Sequence, residues 1–297
     1  MDYFETTYQC LIPSFMPAVT HPLTYARTMM LLGYEPFPPV RRFTLRNILD
    51  SKYEALYYPN VFTYCRKLRQ EVGLYGIFTI GLPANILGSF VKSYSTTITM
   101  EYLTPDSFEK KSYFETDKGI RIFLISTSKC TFARVIGVVV SYPFQVIMIR
   151  QMSQFLNGVR LYDSILNAFP AILKNEGFLS FFSGLTPRII GEVITVWLTA
   201  CLAYAFNKYI FKDSIDPSLK KHTPFVTEIM VSGATHGLTV TSTVMAAADS
   251  ANNVVPVFNN WWQCYSYLNR SDAFVRGSSL FFRRAPSPMS KLYGYSQ

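Results

Sequence analysis

Five ionisable residues stand in stretches otherwise dominated by apolar and hydroxylated side chains: Arg27, Lys92, Arg134, Glu192 and Asp249. A helix needs about 20 mostly apolar residues to cross a bilayer. A charge at the bilayer centre costs roughly 2.5–3.5 kcal/mol, so lipid is a poor destination for any of the five. Polar neighbours accompany them at steps of three and four. Thr24 and Thr28 flank Arg27, while Asn85, Gly88, Ser95 and Thr99 surround Lys92. Gly137, Ser141 and Gln145 follow Arg134, and Thr195 and Thr199 follow Glu192. Ser232, Thr235, Thr239, Ser242 and Ala246 lead to Asp249. Such steps place each set on one helix face. Small and hydroxylated residues also line ordinary helix contacts in membranes, Lys92 can snorkel, and Asp249 can close a helix end. Taken together, the charges favour a shared, water-filled interior. The chemistry available there is electrostatic: a path for polar groups through an apolar layer.

Other chemistries lack their residues. His21, His222 and His236 are far apart, and neither an HExxH nor a clustered Cys/His spacing occurs, so no metal site is expected. Without a GxSxG elbow or a GxxxxGK[ST] loop, no enzyme activity, cofactor or nucleotide is expected. Cys10, Cys65, Cys130, Cys201 and Cys264 form no CxxC pair and read as ordinary thiols. Charged residues make up 16% of the chain, below the roughly 25% of soluble domains. The net charge of +9 therefore reads as loop Lys and Arg facing anionic lipid. No dense basic tract or RNA-binding signature points to nucleic acid. The start, "MDYFETTYQC", is neither a signal nor a transit peptide, so targeting is expected to be internal.

Positioning these charges requires repeated elements. In "NEGFLSFFSGLTPR", residues 175–188, Gly177, Phe182 and Pro187 precede a long apolar run. Gly73, Phe78 and Pro83 repeat the spacing without a gap, and Gly277 and Phe282 repeat it again, with Pro286 one residue early. A single membrane domain spanning 1–297 is expected. Its repeats are 1–103, 120–211 and an incomplete 224–297, joined by linkers 104–119 and 212–223. Each repeat reads as a long helix, a surface helix, a glycine-aromatic turn and a second long helix. The long helices are expected at 6–32, 84–103, 123–149, 188–211 and 225–249. "NVFTYCRKLRQ" and "ILNAFPAILK" supply the surface helices. Pro187 suits the first helical turn, where its missing N–H costs little. After Pro286 the eleven residues "SPMSKLYGYSQ" are too few to span, so five long helices stand where three repeats would give six.

This pattern resembles the mitochondrial solute carriers. Their odd-numbered helices carry a proline, an acid two residues on and a base five residues on. Here the copies are Pro22, Thr24, Arg27 and then Pro143, Gln145, Met148, with Arg150 two beyond. In the third place "TVTSTVMAAADS" holds no proline. In that family the acids and bases pair as a gate. With the acids gone, Arg27 and Arg150 are expected to repel rather than lock.

A narrower resemblance lies in "HPLTYARTMMLLGYEPFPP" (21–39) and "RGSSLFFRRAP" (276–286), which look like the mitochondrial carrier homolog family. That resemblance implies a multi-pass protein of the mitochondrial outer membrane. It would insert α-helical, especially tail-anchored, clients into the bilayer. Lipid scrambling and docking of the pro-apoptotic protein truncated Bid are also attributed to the family. The fold so implied is an all-α membrane protein of three carrier-like repeats, its sixth transmembrane helix missing or degenerate, with a polar groove open sideways to lipid. The client path would comprise Arg27, Lys92, Arg134, Gln145, Glu192, Thr195, Thr239, Ser242 and Asp249. Burial of the client's apolar helix, at about 25 cal/mol per Å², would drive the step without nucleotide. The alternatives are a solute transporter with a degenerate gate and a non-catalytic membrane receptor or scaffold.

Overall fold

The computed structural model describes residues 15–41, 56–104, 119–158, 161–210, 217–247 and 256–286. Asp249, the linker residues 105–118 and 211–216, and the tail 287–297 lie outside the described residues. Helix α1 is His21–Leu32, preceded by a helical turn at 15–19 and a break at Thr20. A two-residue antiparallel pair follows, β1 (Val40–Arg41) with β2 (Leu56–Tyr57). Then come α2 (Val61–Thr79), α3 (Leu82–Leu103), α4 (Gly119–Ser153), α5 (Ile165–Asn175) and α6 (Leu185–Ala205). The remainder is α7 (Pro217–Ala234), α8 (His236–Ala247) and α9 (Trp261–Arg270).

Local sequence explains the boundaries. Asn60 caps α2 by accepting the Thr63 N–H at 3.1 Å, and Ser164 caps α5 through the Asn167 N–H at 3.2 Å. Gly81 (φ 79°) and Gly184 (φ 81°) turn the chain sharply into α3 and α6. Pro83 falls in the first turn of α3, as expected for a residue without an N–H. Residues 84–103 are helical despite their polar composition. Two segments, Ile120–Leu156 and Phe178–Tyr209, are long and apolar enough to cross a membrane, and α2 with α3 makes a third if that pair, bent by 41°, counts as one span.

Two expected boundaries differ. Residues 225–249 are not one helix: α7 and α8 meet at a break at Thr235. Gly233 and Gly237 flank the break with poor helix formers, and His236 turns its ring toward another segment, as described below. The expected linker 212–223 is helical from Pro217 onward, because that proline sits at the start of α7, where its fixed φ suits the first turn.

Helix α3 lies along α4, α4 packs on α6, and α6 meets both α7 and α8. Helix α8 packs on α1 and α9. The main core joins α1, α4 and α8 through side chains such as Tyr25, Met29, Tyr142, Val146, Val240 and Val244. By contrast, Ala84 is the one buried residue of α3. Residues 278–286, after the third turn, form no helix: they bend at 280–282 before pairing through Arg284. Val61 N donates to Leu280 O at 3.0 Å, Tyr58 N to Arg283 O at 2.8 Å, and Ala285 N to Leu56 O at 2.8 Å. That segment thereby pairs with the chain entering α2, and Tyr57 bridges Arg284 antiparallel.

Candidate functional site

Four helices converge on a chain of charges. Glu192 of α6 places one carboxylate oxygen 3.8 Å from Lys92 Nζ of α3 and the other 3.6 Å from Arg134 Nη1 of α4. Arg134 Nη1 also donates to Glu228 of α7 at 3.3 Å. Glu192 is the most enclosed member, at 13% exposure, whereas Lys92, Arg134 and Glu228 stand at 38%, 35% and 46%. Exposed pairs of this kind are worth little in water. Within an apolar layer each pairing offsets a charge that lipid would not accept. The network is therefore neutralised in place while still presenting polar surface.

Toward the turns, the site narrows. Thr195 Oγ1 donates to Gly191 O at 2.8 Å and lies 3.1 Å from Thr235 Oγ1. A cavity of about 40 Å³ is lined there by Arg188, Glu192, Thr195, Thr235 and Thr239, among others. Arg188 Nε is buried with no partner among the described residues. Its charge reaches Lys92 and Arg27.

Lys92, Arg134, Glu192, Thr195 and Thr239 thus come together. Arg27 is exposed on α1, with no ion pair among the described residues, and Gln145 is half-buried. Ser242 is instead packed in the core, donating to the Tyr142 hydroxyl at 3.1 Å. Asp249 lies outside the described residues. Sequence reasoning missed Arg188 and Glu228. Both continue stripes already visible, four residues before Glu192 and four before Ser232 respectively, so one more step toward the N-terminus finds them.

Arg150 does not face Arg27. It is fully buried and holds Glu176 with both nitrogen arms, at 2.5 and 2.8 Å. It also donates to Ser180 Oγ at 3.0 Å and to Ala246 O at 3.2 Å. Two residues beyond Met148 the helix has turned by roughly 200°, which carries the side chain away from the path.

A pattern the sequence concealed recurs three times. His21 Nε2 donates to Ile80 O at 2.8 Å, Tyr142 Oη to Ser183 O at 2.9 Å, and His236 Nε2 to Arg276 O at 2.8 Å. Each acceptor immediately precedes a glycine of positive φ: Gly81, Gly184 and Gly277. Gly277 therefore shares its place with Gly81 and Gly184, not with Gly73 and Gly177 as the spacing had suggested. Each of these glycines also abuts another helix. A Cβ on Gly81 would lie 3.3 Å from Met148 O, one on Gly184 2.6 Å from Ser242 O, and one on Gly277 3.8 Å from Arg27 O. Those carbonyls belong to residues six after Tyr142, His236 and His21 in turn. The third signature is consequently His236–Gly237, with Thr239 and Ser242 at the acid and base places, rather than a lost motif at 239–250.

The mitochondrial carrier protein family matches residues 124–214, from α4 to just beyond α6. Mitochondrial carrier homolog 2 of Homo sapiens is 29% identical over 95% of both chains. Mitochondrial carrier homolog 1 of Mus musculus is 29% identical over 91% of this chain and 74% of its own. The chain is similar to the mitochondrial carrier homologs along almost its whole length. A mitochondrial pyrimidine nucleotide transporter of Saccharomyces cerevisiae is 26% identical, over 46% of this chain and 38% of its own. Likeness to the carrier homologs thus covers almost the whole chain, whereas likeness to that transporter covers less than half of it. Family and apolar helices together make this a mitochondrial membrane protein.

Proposed function

We propose that the chain is an insertase of the mitochondrial outer membrane, moving the polar tails of α-helical, tail-anchored clients through a hydrophilic groove open to lipid. The observation that carries this reading is the Lys92–Glu192–Arg134–Glu228 network, flanked by a helix, α3, most of whose side chains are half-buried rather than enclosed. A polar segment can exchange contacts with these half-exposed charges, while its apolar neighbour partitions sideways past α3. The three recurrent His/Tyr-to-carbonyl bonds support three tandem repeats closed into a ring at the turn end. The non-helical course of 278–286, where a sixth helix would begin, supports a missing or degenerate sixth helix in this reading. Phospholipid headgroups fit the same groove, so lipid scrambling belongs to this reading, as does docking of an apoptotic protein such as truncated Bid at the membrane face. Among the described residues Thr24, Gln145 and Thr239 stand where a carrier gate needs acids, which counts against solute transport.

The test is reconstitution of the purified chain in liposomes, with one tail-anchored client and a solute-uptake control side by side. Insertion without solute uptake is expected. Arg27→Glu and Glu192→Arg should each change the insertion rate at matched protein levels, with the sign set by the charge of the client's tail. Unmodified rates in both variants would remove the groove from the client path and favour a receptor that merely recruits.

A further inference from the structure

A second polar cavity, sharing no residue with the groove, lies where the end of α1 meets the segment after Gly277. Its volume is about 410 Å³. Arg276, Arg283 and Arg284 line it on one side, and the loop Glu35-Pro36-Phe37-Pro38-Pro39 on the other.

The arginines are not equivalent. Arg283 is buried and committed. It pairs with Glu35, donates to Pro59 O at 3.0 Å, and lies over the Tyr64 ring, 4.8 Å from its centroid. Arg276 is different: no hydrogen bond or ion pair ties its guanidinium to any described residue. Its position is nevertheless fixed. The guanidinium lies against Gly33, where an added Cβ would come within 2.5 Å of Nη1. Gly33 is also the C-cap of α1 (φ 87°), so the partial negative charge of a helix end holds the cation there. The arm is placed by packing, with the Glu35 carboxylate acting on its charge, while no described residue takes up its donors. Arg284 is exposed at the rim.

Three guanidinium groups against one carboxylate leave an excess of two positive charges around the cavity. Guanidinium forks suit oxyanions that accept two bonds each. The cavity has room for more than a bare oxyanion, and the prolines with Phe37 offer an apolar wall to an organic portion. We propose that this cavity binds a phosphate group carried on a small organic moiety, with Arg276 and Arg284 as its ligands and the Glu35–Arg283 pair as its floor. The surroundings agree with that assignment. Burial pushes the Arg276 guanidinium below its ordinary range and raises the Glu35 carboxyl against the pull of Arg283. An incoming phosphate relieves the first of these costs by giving Arg276 a counter-charge.

Such a phosphate can come from a soluble ester or from a lipid headgroup, and one experiment separates them. The purified full chain in detergent is titrated with glycerol 3-phosphate, with glycerol as the neutral control, by calorimetry. In parallel it is titrated with dioctanoyl phosphatidate, with dioctanoylglycerol as control, by native mass spectrometry. Saturable one-to-one binding of at least one phosphate ligand is expected. It should weaken roughly tenfold or more in Arg276→Gln and Arg284→Gln, as for loss of a charge-assisted pair. Arg270→Gln, an equal charge change on exposed α9 surface, should bind as the unmodified chain does. Binding of glycerol 3-phosphate assigns a soluble ligand, and binding of the phosphatidate alone assigns a lipid. Saturable binding of neither, or equal weakening by Arg270→Gln, overturns the site. If Arg276→Gln fails to fold, Arg284→Gln decides, because its rim side chain supports no packing.

Discussion

Replacing Arg150 by methionine should destabilise the folded chain heavily while leaving the Lys92–Glu192–Arg134 network intact. The guanidinium is fully buried and engages two carboxylate oxygens, a hydroxyl and a backbone carbonyl. Removing it strands Glu176, a carboxylate 16% exposed whose other partner is Ser180. Breaking a buried pair in this way costs about 3–5 kcal/mol, because a desolvated charge is left without its counterpart. For a chain of this size that is on the order of 10 °C in the midpoint of thermal unfolding. Combining Arg150→Met with Glu176→Leu removes both charges, and isosteric apolar replacement of a buried pair is often near neutral. The double variant should therefore recover at least half of the loss, less the cost of the orphaned Ala246 carbonyl, about 1–3 kcal/mol. Near-UV circular dichroism of detergent-solubilised protein reads the midpoints, and Lys174→Met on the exposed face of α5 is the control, expected within about 0.5 kcal/mol. A midpoint for Arg150→Met alone matching that control would refute the reasoning, as would a double variant less stable than both singles.

Two further outcomes follow from local geometry. Gly184→Ala should be far more damaging than Gly177→Ala: both have positive φ, but the new Cβ at 184 meets Ser242 O at 2.6 Å, and at 177 meets nothing within 4 Å. Unfolding midpoints should show about 1 kcal/mol for the strain alone at 177 and several times that at 184. Burial pushes the Cys264 thiol up to about 12. At pH 8 its thiolate fraction, and hence its rate of alkylation by iodoacetamide, should fall roughly a thousandfold below that of an unperturbed cysteine; peptide mass spectrometry measures the rate.

The parts legible in the sequence were those where physics leaves few destinations. Lys92, Arg134 and Glu192 had to find water or one another, and they found one another. Asn85 to Thr99 looked too polar for a membrane helix, yet the repeat placed a helix there and α3 forms. What stayed hidden depends on contacts between distant residues. Arg150 was read by its distance from Pro143, but its environment is set by Glu176 on a separate segment. Phe281 and Phe282 imitate Phe181 and Phe182 in sequence and so drew the third turn out of register. The backbone instead makes Gly277 the partner of Gly81 and Gly184, and the aromatic ring packed at that turn is Phe274, against Gly237. The third copy of the motif was misplaced because Gly237 stands where the other two have proline and His236 supplies the bond.

That last substitution bears on how the proposed machine would work. Tyr142 and His236 each tie an odd helix to the turn of its own repeat, and Gly184 then presses that turn onto the next helix at Ser242. The same relation carries Gly277 back to Arg27. Contacts of this kind are short and largely made to backbone, so they resist deformation more than side-chain packing does. All three lie at the turn end, where α1, α4 and α8 contribute the buried core. Helix α3, by contrast, runs from Gly81 along α4 with one buried residue, and its Lys92 stands 3.8 Å from Glu192 of α6. One end of the molecule is thus built to hold its shape. The other also carries the Lys92–Glu192–Arg134–Glu228 contacts, which a passing polar segment can replace in kind. A path for clients requires that asymmetry, because a bundle rigid at both ends would admit nothing, and one loose at both would not keep Lys92, Arg134 and Glu192 out of lipid.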